Sequence, residues 1–474
     1  MKLLNTIFRP ITYVPQYKTW DDEIIELSDP EYIVIPLEYP GQILYKPTVK
    51  IDELVHKNQI IAQSTLGNCL HTSISGVVKD MKPIWTDRGY NVPSLFIQRN
   101  DAPAFTTDEI FEQYGVRFKN ASREQKMKAL GIISPWTRPG RYHQEQDISE
   151  YPEITNIVIK GFNEEPSIFV LELLLKKKNV NIIRGIKQIS DMAPNAIIWM
   201  TVPKYFLSQA EEIYGEYVKV ISLSNKYKDR IERVVIPIIT GIDIPNTASY
   251  REMGIAVISI EYLLLLQDAL NKGYPFNYKY ITVSGDPISK PITIKCPLGT
   301  SIRTVLESQG IESDSYARLI VGGPMKGIAQ YNDLTPLTKS NHGIHVVTDD
   351  EIQQDTNLTC INCGRCVQVC PVNLQVNLIG RYAEYGLFQD TLEYHPEACN
   401  ECGLCAYVCP SHRPLVQLIK LSNKYNQDKN EPNQKIECSI ESPLEGWEQC
   451  VHCSETLDCG AVASDSSKPV AIRT

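Results

Sequence analysis

Eight of the fourteen cysteines fall into two copies of one spacing, and this repeat constrains the fold more than any other feature. Each copy reads C-x2-C-x2-C-x3-C-P, and the two copies begin at Cys360 and Cys399. In runs of this form, each run gives three thiolates to one [4Fe–4S] cluster and its fourth to a second cluster. Zinc sites use separate C-x2–4-C knuckles, and disulfide scaffolds belong to short secreted chains. The repeat therefore predicts two neighbouring [4Fe–4S] clusters that can relay single electrons.

The crosswise rule divides these cysteines into two predicted ligand sets. The set for cluster 1 is Cys360, Cys363, Cys366 and Cys409, and the set for cluster 2 is Cys370, Cys399, Cys402 and Cys405. We expect the fourth cysteine of each run to begin a helix that crosses to the other cluster. Helices are predicted around residues 372–388 and 414–425. This arrangement is that of a two-cluster ferredoxin.

A third group of cysteines lies near the C-terminus, at Cys438, Cys450, Cys453 and Cys459. Four thiolates with one C-x2-C knuckle could form a zinc site or bind a further iron–sulfur cluster, and His452 could replace one ligand. Four unligated thiols are the third alternative, because the spacing matches no established pattern. The isolated Cys69 and Cys296 are predicted to be small buried hydrophobic residues.

Composition bounds the class of protein. A chain of 474 residues accommodates about three domains. Its net charge of −9 argues against nucleic-acid binding, since no basic face is present to neutralise phosphates. The N-terminus has no signal-peptide core, and the most apolar stretch, residues 255–266, is too short to span a bilayer. We therefore expect a cytoplasmic protein that reaches a membrane only through other subunits.

The pattern of apolar residues divides the chain into parts of different character. Residues 31–100 read as short strands of a β-sandwich or barrel, and residues 101–125 as a polar connector. Residues 126–275 alternate strand-like and helical runs, which predicts a mainly parallel α/β sheet that includes a strand at Arg233–Pro237. Residues 276–347 form a small mixed unit. The predicted boundaries are 1–105, 106–275, 276–347, 348–427 and 428–474.

Taken in order, these parts resemble the RnfC family, whose members belong to the Rnf ion-translocating electron-transport complex. Residues 35–63 and 70–83 are similar to its lipoyl-like barrel-sandwich segment. Residues 283–302 and 321–344 are similar to its soluble-ligand-binding (SLBB) β-grasp domain, and the two cysteine runs complete the series. The resemblance implies a multidomain α/β and β protein with barrel-sandwich, α/β, SLBB β-grasp and α-helical dicluster ferredoxin domains.

The α/β part of that family resembles the NADH- and FMN-binding subunit of respiratory complex I, but this chain departs from its pattern. The family's G-x-G-G-x-x-F-P-T loop reads LGIISPWTRPGRYH here (residues 130–143), so only Gly131 and Gly140 remain. Proline removes backbone N–H groups that a phosphate would need. The acidic N-G-A-E-x-E-P segment is reduced to residues 160–166. We expect a retained scaffold without FMN or NADH, with Glu164, Glu165, Lys326 and Lys339 as surface charges.

Three functions follow as hypotheses. The first is an electron-transfer subunit that relays electrons between a soluble redox protein, such as a ferredoxin, and the membrane subunits of an Rnf-like complex. Such a chain is peripheral on the cytoplasmic face of the membrane and is not a catalyst by itself. The second is an NADH-oxidising, FMN-dependent dehydrogenase subunit of the same kind of complex. The third is an assembly or scaffold protein whose clusters are structural.

Overall fold

The computed structural model of the protein describes residues 22–38, 44–65, 67–89, 91–132, 153–224, 226–245, 248–352 and 358–430. Within these ranges the chain forms four packed units: an N-terminal β unit, a parallel α/β unit, a mixed-sheet unit and a C-terminal helical unit that carries the two cysteine runs. No helix in the described ranges is long and apolar enough to cross a membrane.

The N-terminal β unit packs a four-stranded antiparallel sheet of order β2-β8-β7-β4 against a three-stranded sheet of order β3-β5-β6. Alternating apolar residues such as Ile33, Leu95 and Ile97 point into its core and are almost fully buried. The strands are β2 (Tyr32–Pro36), β3 (Tyr45–Pro47), β4 (Leu54–Val55), β5 (Ile60–Ser64), β6 (Cys69–His71), β7 (Gly76–Trp85) and β8 (Asn91–Arg99). The predicted barrel or sandwich of short strands is confirmed.

Two short helices follow where a polar connector was predicted. Helix α1 (Thr107–Tyr114) and helix α2 (Arg123–Ala129) both begin with a capping box, in which a hydroxyl side chain accepts a bond from the third helical residue. Ile110 and Phe111 of α1 are buried against the α/β core. The segment lies between the β unit and the α/β unit, as a connector would, and its few buried apolar residues lie on one helical face.

The α/β unit contains a fully parallel sheet of order β11-β10-β9-β12. Its strands are β9 (Asn156–Lys160), β10 (Ile197–Pro203), β11 (Lys219–Leu223) and β12 (Ile255–Ser259), and its helices are α3 (Val170–Lys177), α4 (Asn179–Met192), α5 (Leu207–Tyr214), α6 (Glu232–Thr240) and α7 (Ile260–Gln267). Strand β9 has the predicted bounds. Both faces of the sheet are covered, as expected for parallel strands.

The predicted strand at Arg233–Pro237 is instead part of helix α6. Val235, Ile236 and Ile239 are buried together, which is the spacing of one helical face. Gly241 ends the helix at a φ of 69°, a conformation that glycine adopts without strain. A short continuous apolar run does not distinguish a strand from a buried helix, and here the helix covers the sheet beside Val158.

The mixed-sheet unit has the strand order β1-β14-β13-β17-β15-β16. Its strands are β1 (Ile24–Glu26), β13 (Tyr278–Gly285), β14 (Ile292–Pro297), β15 (Arg318–Val321), β16 (Ile328–Ala329) and β17 (Gly343–Val347), and helix α8 (Ile302–Glu307) packs on it. Strand β1 comes from the start of the described chain and pairs in parallel with β14. The sheet therefore joins segments that are far apart in sequence.

The C-terminal helical unit contains α9 (Arg365–Val369), α10 (Val376–Glu384), α11 (Leu404–Tyr407) and α12 (Leu415–Asn430). Val376 and Ile379 of α10 pack against Leu415 and Ile419 of α12. The two longer helices form the support on which both cysteine runs are held.

A buried carboxyl group in the α/β unit is expected to make stability depend on pH. Burial raises the pKa of Glu172 from 4.5 to about 7, although the Arg230 guanidinium opposes this shift. The folded state therefore favours the protonated carboxyl, and stability falls as the pH rises from 4.5 through 7. We expect Glu172→Gln to remove this loss. In urea titrations, the free energy of unfolding of the variant relative to that of the wild type should rise by up to about 3 kcal/mol between pH 4.5 and 8. A difference in the free energy of unfolding that stays constant with pH would contradict this role of Glu172.

Candidate iron–sulfur centre

The two cysteine runs have the same backbone conformation at matching positions. Asn362 and Glu401 both have positive φ angles, of 53° and 51°, and each precedes the second cysteine of its run. Gly364 and Gly403 follow that cysteine with φ angles of 74° and 80°, and each begins a short helix, α9 or α11. The sequence repeat is therefore also a structural repeat, in which two matching loops present their thiols.

The fourth cysteine of each run ends a short helix rather than beginning a long one. Cys370 follows α9 directly, and the next helix begins only at Val376. Asn373, with a φ of 56°, forms a turn after the Cys-Pro pair, and the Leu374 N–H donates to the Cys370 sulfur at 3.3 Å. The prediction that a helix starts at this cysteine was wrong, because the left-handed turn at Asn373 interrupts the chain before the helix begins at Val376.

The structure brings together the four thiols that the crosswise rule assigns to cluster 1. One cavity is lined by Cys360, Cys363 and Cys366 of the first run and by Cys409 of the second. Cys363 is exposed and the other three are half-buried. This cavity therefore opens toward solvent at the first run.

The four thiols assigned to cluster 2 lie deeper in the protein. Cys370, Cys402 and Cys405 are buried, and Cys399 is half-buried. Burial raises the pKa of Cys402, and the neighbouring Cys370 of the other run raises it further. Burial likewise raises the pKa of Cys405, and Cys399 and Cys402 add to that effect. The fourth cysteine of the first run thus lies close enough to Cys402 of the second run to raise the pKa of that thiol.

The donor set fits iron–sulfur clusters, because the four thiols assigned to cluster 1 line one cavity. Among the described residues, no three His, Cys, Asp or Glu side chains form a group able to hold one ion. Backbone N–H groups also point at the sulfurs: the Glu401 N–H donates to Cys399 at 3.3 Å, and the Asn362 N–H is the main cause of a lowered pKa of Cys360. Such N–H donors stabilise the sulfur ligands of clusters.

The second run is docked against both neighbouring units. The Tyr227 hydroxyl of the α/β unit donates to the Cys402 carbonyl at 2.9 Å. Tyr227, Cys402 and Leu404 form a small buried cluster that Met325 of the mixed-sheet unit contacts. A Cβ atom at Gly403 would lie 2.3 Å from the Met325 carbonyl oxygen, whereas a Cβ at Gly364 would meet nothing within 4 Å. At this glycine position, the second loop is therefore in close contact with the backbone of another unit, and the first loop is not.

This asymmetry predicts different effects of one substitution at two equivalent glycines. Alanine at either position adds backbone strain of about 1–2 kcal/mol. Gly403→Ala also places a methyl group against the Met325 backbone, which forces the second run off its support. We expect Gly403→Ala to retain well under about eight irons per chain after anaerobic purification, and Gly364→Ala to retain nearly all of them. Equal iron contents would show that the contact between Gly403 and Met325 does not hold the second run in place.

The acidic segment of the α/β unit is not a surface charge cluster, contrary to expectation. Glu165 is buried and accepts hydrogen bonds from the backbone N–H groups of Met325 (3.0 Å) and Lys326 (2.7 Å). Burial raises the pKa of Glu165 to about 7, although these N–H groups and the Lys326 ammonium lower it. The Lys326 ammonium pairs with Glu164 at 2.7 Å. Both carboxylates therefore fasten the mixed-sheet unit to the α/β unit.

Lys339 was also expected at the surface and is instead half-buried between units. Its ammonium donates to the Gly131 carbonyl at 2.9 Å and lies 4.8 Å from the centre of the Phe276 ring. Burial lowers the pKa of Lys339 to about 8. The buried positions predicted for Cys69 and Cys296 are confirmed.

Sequence reasoning missed Tyr227, Glu165 and Arg413 as parts of this centre. Arg413 lines the cluster 1 cavity, and its position directly after the second run was the available signal. The sequence around Tyr227 and Glu165 contained no such signal, since their partners lie in other units. The predicted third metal site at Cys438, Cys450, Cys453 and Cys459 lies outside the described residues, as do residues 133–143 of the altered glycine loop.

Comparison with known proteins gives the same order of parts. Residues 12–102 match the "RnfC Barrel sandwich hybrid domain", and residues 359–412 match the "4Fe-4S dicluster domain". The chain is 27% identical to the C subunit of the Na(+)-translocating ferredoxin:NAD(+) oxidoreductase complex of Acetobacterium woodii, over 76% of this chain and 83% of that protein. It is 27% identical to the C subunit of the ion-translocating oxidoreductase complex of Methanosarcina acetivorans, over 88% of this chain and 98% of that protein.

Among solved structures, an NAD+-reducing [NiFe]-hydrogenase in the H2-reduced state aligns with 70% of this chain and 66% of its own. The sequence identity is 14% and the TM-score is 0.42.

Proposed function

Because this chain belongs to the RnfC family, we propose that it relays electrons through two [4Fe–4S] clusters inside an ion-translocating oxidoreductase complex. The single observation that carries the proposal is the grouping of thiols from both runs. Cys409 of the second run lines the cavity of the first run, and Cys370 of the first run raises the pKa of Cys402 in the second. Cys360, Cys363, Cys366 and Cys409 would hold cluster 1, and Cys370, Cys399, Cys402 and Cys405 would hold cluster 2.

The same geometry supports a path that has one end inside the protein and the other at its surface. Cluster 2 would lie inside, against the α/β and mixed-sheet units, and cluster 1 would lie beside the exposed Cys363. An electron that crosses from one to the other passes between the interior of the protein and its surface. We propose that the surface end meets a redox partner, either a soluble protein such as a ferredoxin or a membrane subunit of the complex, on the cytoplasmic face of the membrane.

We propose that the α/β unit is a platform and does not bind FMN or NADH. Contacts of the acidic segment support this, because Glu164 and Glu165 are committed to Lys326 and to backbone N–H groups of the mixed-sheet unit. We assign residues 276–347, which provide those groups, as the SLBB β-grasp domain. The other proposed domains are 1–105, 106–275, 348–427 and the cysteine-containing tail 428–474. Strand β1 (Ile24–Glu26) is the exception, since it lies within 1–105 but pairs with the mixed sheet.

Cofactor analysis of the anaerobically purified full chain tests the proposal. We expect about eight irons and a matching amount of acid-labile sulfide per chain, a visible absorbance that dithionite bleaches, and far less than one FMN. NADH alone should leave the spectrum unchanged. A colourless preparation with far fewer irons would overturn the relay. Stoichiometric FMN or bleaching by NADH would instead support the dehydrogenase alternative.

Electron transfer in the assembled complex separates a relay from a scaffold with structural clusters. Cys363→Ser changes an exposed thiol of the first run, so the fold should tolerate it. We expect the complex to assemble and to lose electron transfer, while the control Cys296→Ala, at a buried thiol outside the runs, keeps it. Full activity of the Cys363→Ser complex would mean that cluster 1 is not on the path.

We also propose a third metal site at Cys438, Cys450, Cys453 and Cys459, holding either zinc or a further iron–sulfur cluster. Metal counts on the full chain and on the double variant Cys450→Ser/Cys453→Ser test it. About one zinc, or irons beyond about eight, should be present in the wild type and absent from the variant. Identical metal content in both proteins would show four unligated thiols.

A further inference from the structure

A buried arginine distinguishes the two halves of the cysteine repeat. Arg413 follows the second run and lines the cavity assigned to cluster 1, with its side chain only 2% exposed. One of its guanidinium nitrogens donates to the Glu384 carboxylate at the end of α10. Its Nε is buried and has no hydrogen-bond partner among the described residues. A guanidinium N–H that faces a thiol-lined cavity can donate to sulfur that fills it.

The matching position in the other half of the repeat carries no charge. Asn373 and His412 are equivalent, since each has a positive φ and each lies three residues after the last cysteine of its run. The next residues are therefore Leu374 and Arg413. Leu374 is buried, and it offers cluster 2 only its backbone N–H, to Cys370. Two sites with the same loops thus differ by one buried positive charge.

The other charges near the two sites are better screened or paired. Glu384 opposes Arg413 but is 37% exposed, so water screens its charge more strongly. The charge of Arg381 lowers the pKa of Cys360, but Arg381 is exposed on α10. On the other side, Lys326 lowers the pKa of Cys402, but its side chain is 34% exposed and its ammonium is paired with Glu164, which is only 11% exposed. Among the residues that the structure describes, the buried Arg413 is therefore the strongest electrostatic difference between the two sites.

We propose that Arg413 raises the reduction potential of cluster 1 above that of cluster 2. The inference rests on the proposed function, because it requires both clusters to be bound as assigned. Reduction adds one electron, and thus one negative charge, to a cluster. A nearby buried cation stabilises that added charge at cluster 1. Hydrogen bonds to sulfur are present at both sites and therefore do not separate the two potentials. A single electron shared by the two clusters therefore resides on cluster 1, beside the exposed Cys363.

Redox titration of the full chain, followed by electron paramagnetic resonance, tests the assignment. The wild type should show two one-electron waves. Arg413→Gln/Glu384→Gln replaces the ion pair with neutral side chains of similar size. We expect its higher wave to fall, with at least a tenfold lower ratio of reduced to oxidised cluster at the wild-type midpoint, equal to about 59 mV. The lower wave should stay in place. Arg381→Gln, which removes an exposed charge, should change that ratio less than about threefold.

Two further variants make the result independent of one substitution. Glu384→Gln alone removes the opposing charge and should raise the higher wave, the opposite direction. Arg413→Lys keeps the charge and should leave the wave near its wild-type midpoint. Waves that do not move, or that move together, in protein with about eight irons would overturn this inference and leave the relay intact. Too few irons in the wild type would overturn the relay itself.

Discussion

Replacing Cys370 and Cys399 together by serine is expected to leave one intact [4Fe–4S] cluster and about four irons per chain. Replacing Cys363 and Cys370 together should damage both clusters. The reason is the crosswise assignment, in which the first pair belongs to one cluster and the second pair is divided between the two. Each double variant removes two thiols, so the chemical change is the same and only the grouping differs.

If each run instead bound its own cluster, the two results would be exchanged. Cys363 and Cys370 would then belong to one cluster, and Cys370 and Cys399 to two. Iron content and the electron paramagnetic resonance spectrum of the dithionite-reduced protein distinguish the outcomes, because one intact cluster gives a simple signal without coupling to a neighbour. Cys69→Ala provides the control, since this buried thiol lies in the N-terminal β unit. It should retain about eight irons.

Patterns that depend on neighbouring residues predicted much of the fold. The cysteine runs indicated two matching loops, and the structure has them. Strand β9 was predicted with its observed bounds, because a short apolar run of β-branched residues suits a buried parallel strand. The same kind of run gave a wrong prediction of a strand at Arg233–Pro237. There the sheet already has four strands, and tertiary packing selected a helix.

Features that depend on distant partners could not be predicted. Glu165 is followed by proline in a polar segment, and the sequence alone favoured a surface charge. Its burial results from backbone N–H groups at Met325 and Lys326, about 160 positions away. Lys339 is half-buried for a comparable reason, because Gly131 and Phe276 come from other segments. Contacts between units, rather than local propensity, therefore determine the surroundings of the candidate centre.

One buried ion pair holds the α/β and mixed-sheet units together, and breaking it should cause a large loss of stability. Glu261 on α7 and Lys279 on β13 pair at 2.5 Å, with side chains only 3% and 2% exposed. Glu261 also accepts the Tyr280 N–H at 3.2 Å. Glu261→Gln leaves the Lys279 charge buried without its counterion. We expect the apparent free energy of unfolding in urea to fall by about 3–5 kcal/mol.

The matched control is Glu124→Gln, which breaks the pair with Lys128 on α2, where Glu124 is 73% exposed. It should cost less than about 1 kcal/mol, because water screens exposed pairs. Adding Lys279→Met to Glu261→Gln removes the stranded charge, and most of the lost stability should return. A single Glu261→Gln cost no larger than that of the control would show that water reaches this junction. In that case Glu165 and its backbone partners would have to orient the mixed-sheet unit against the second cysteine run.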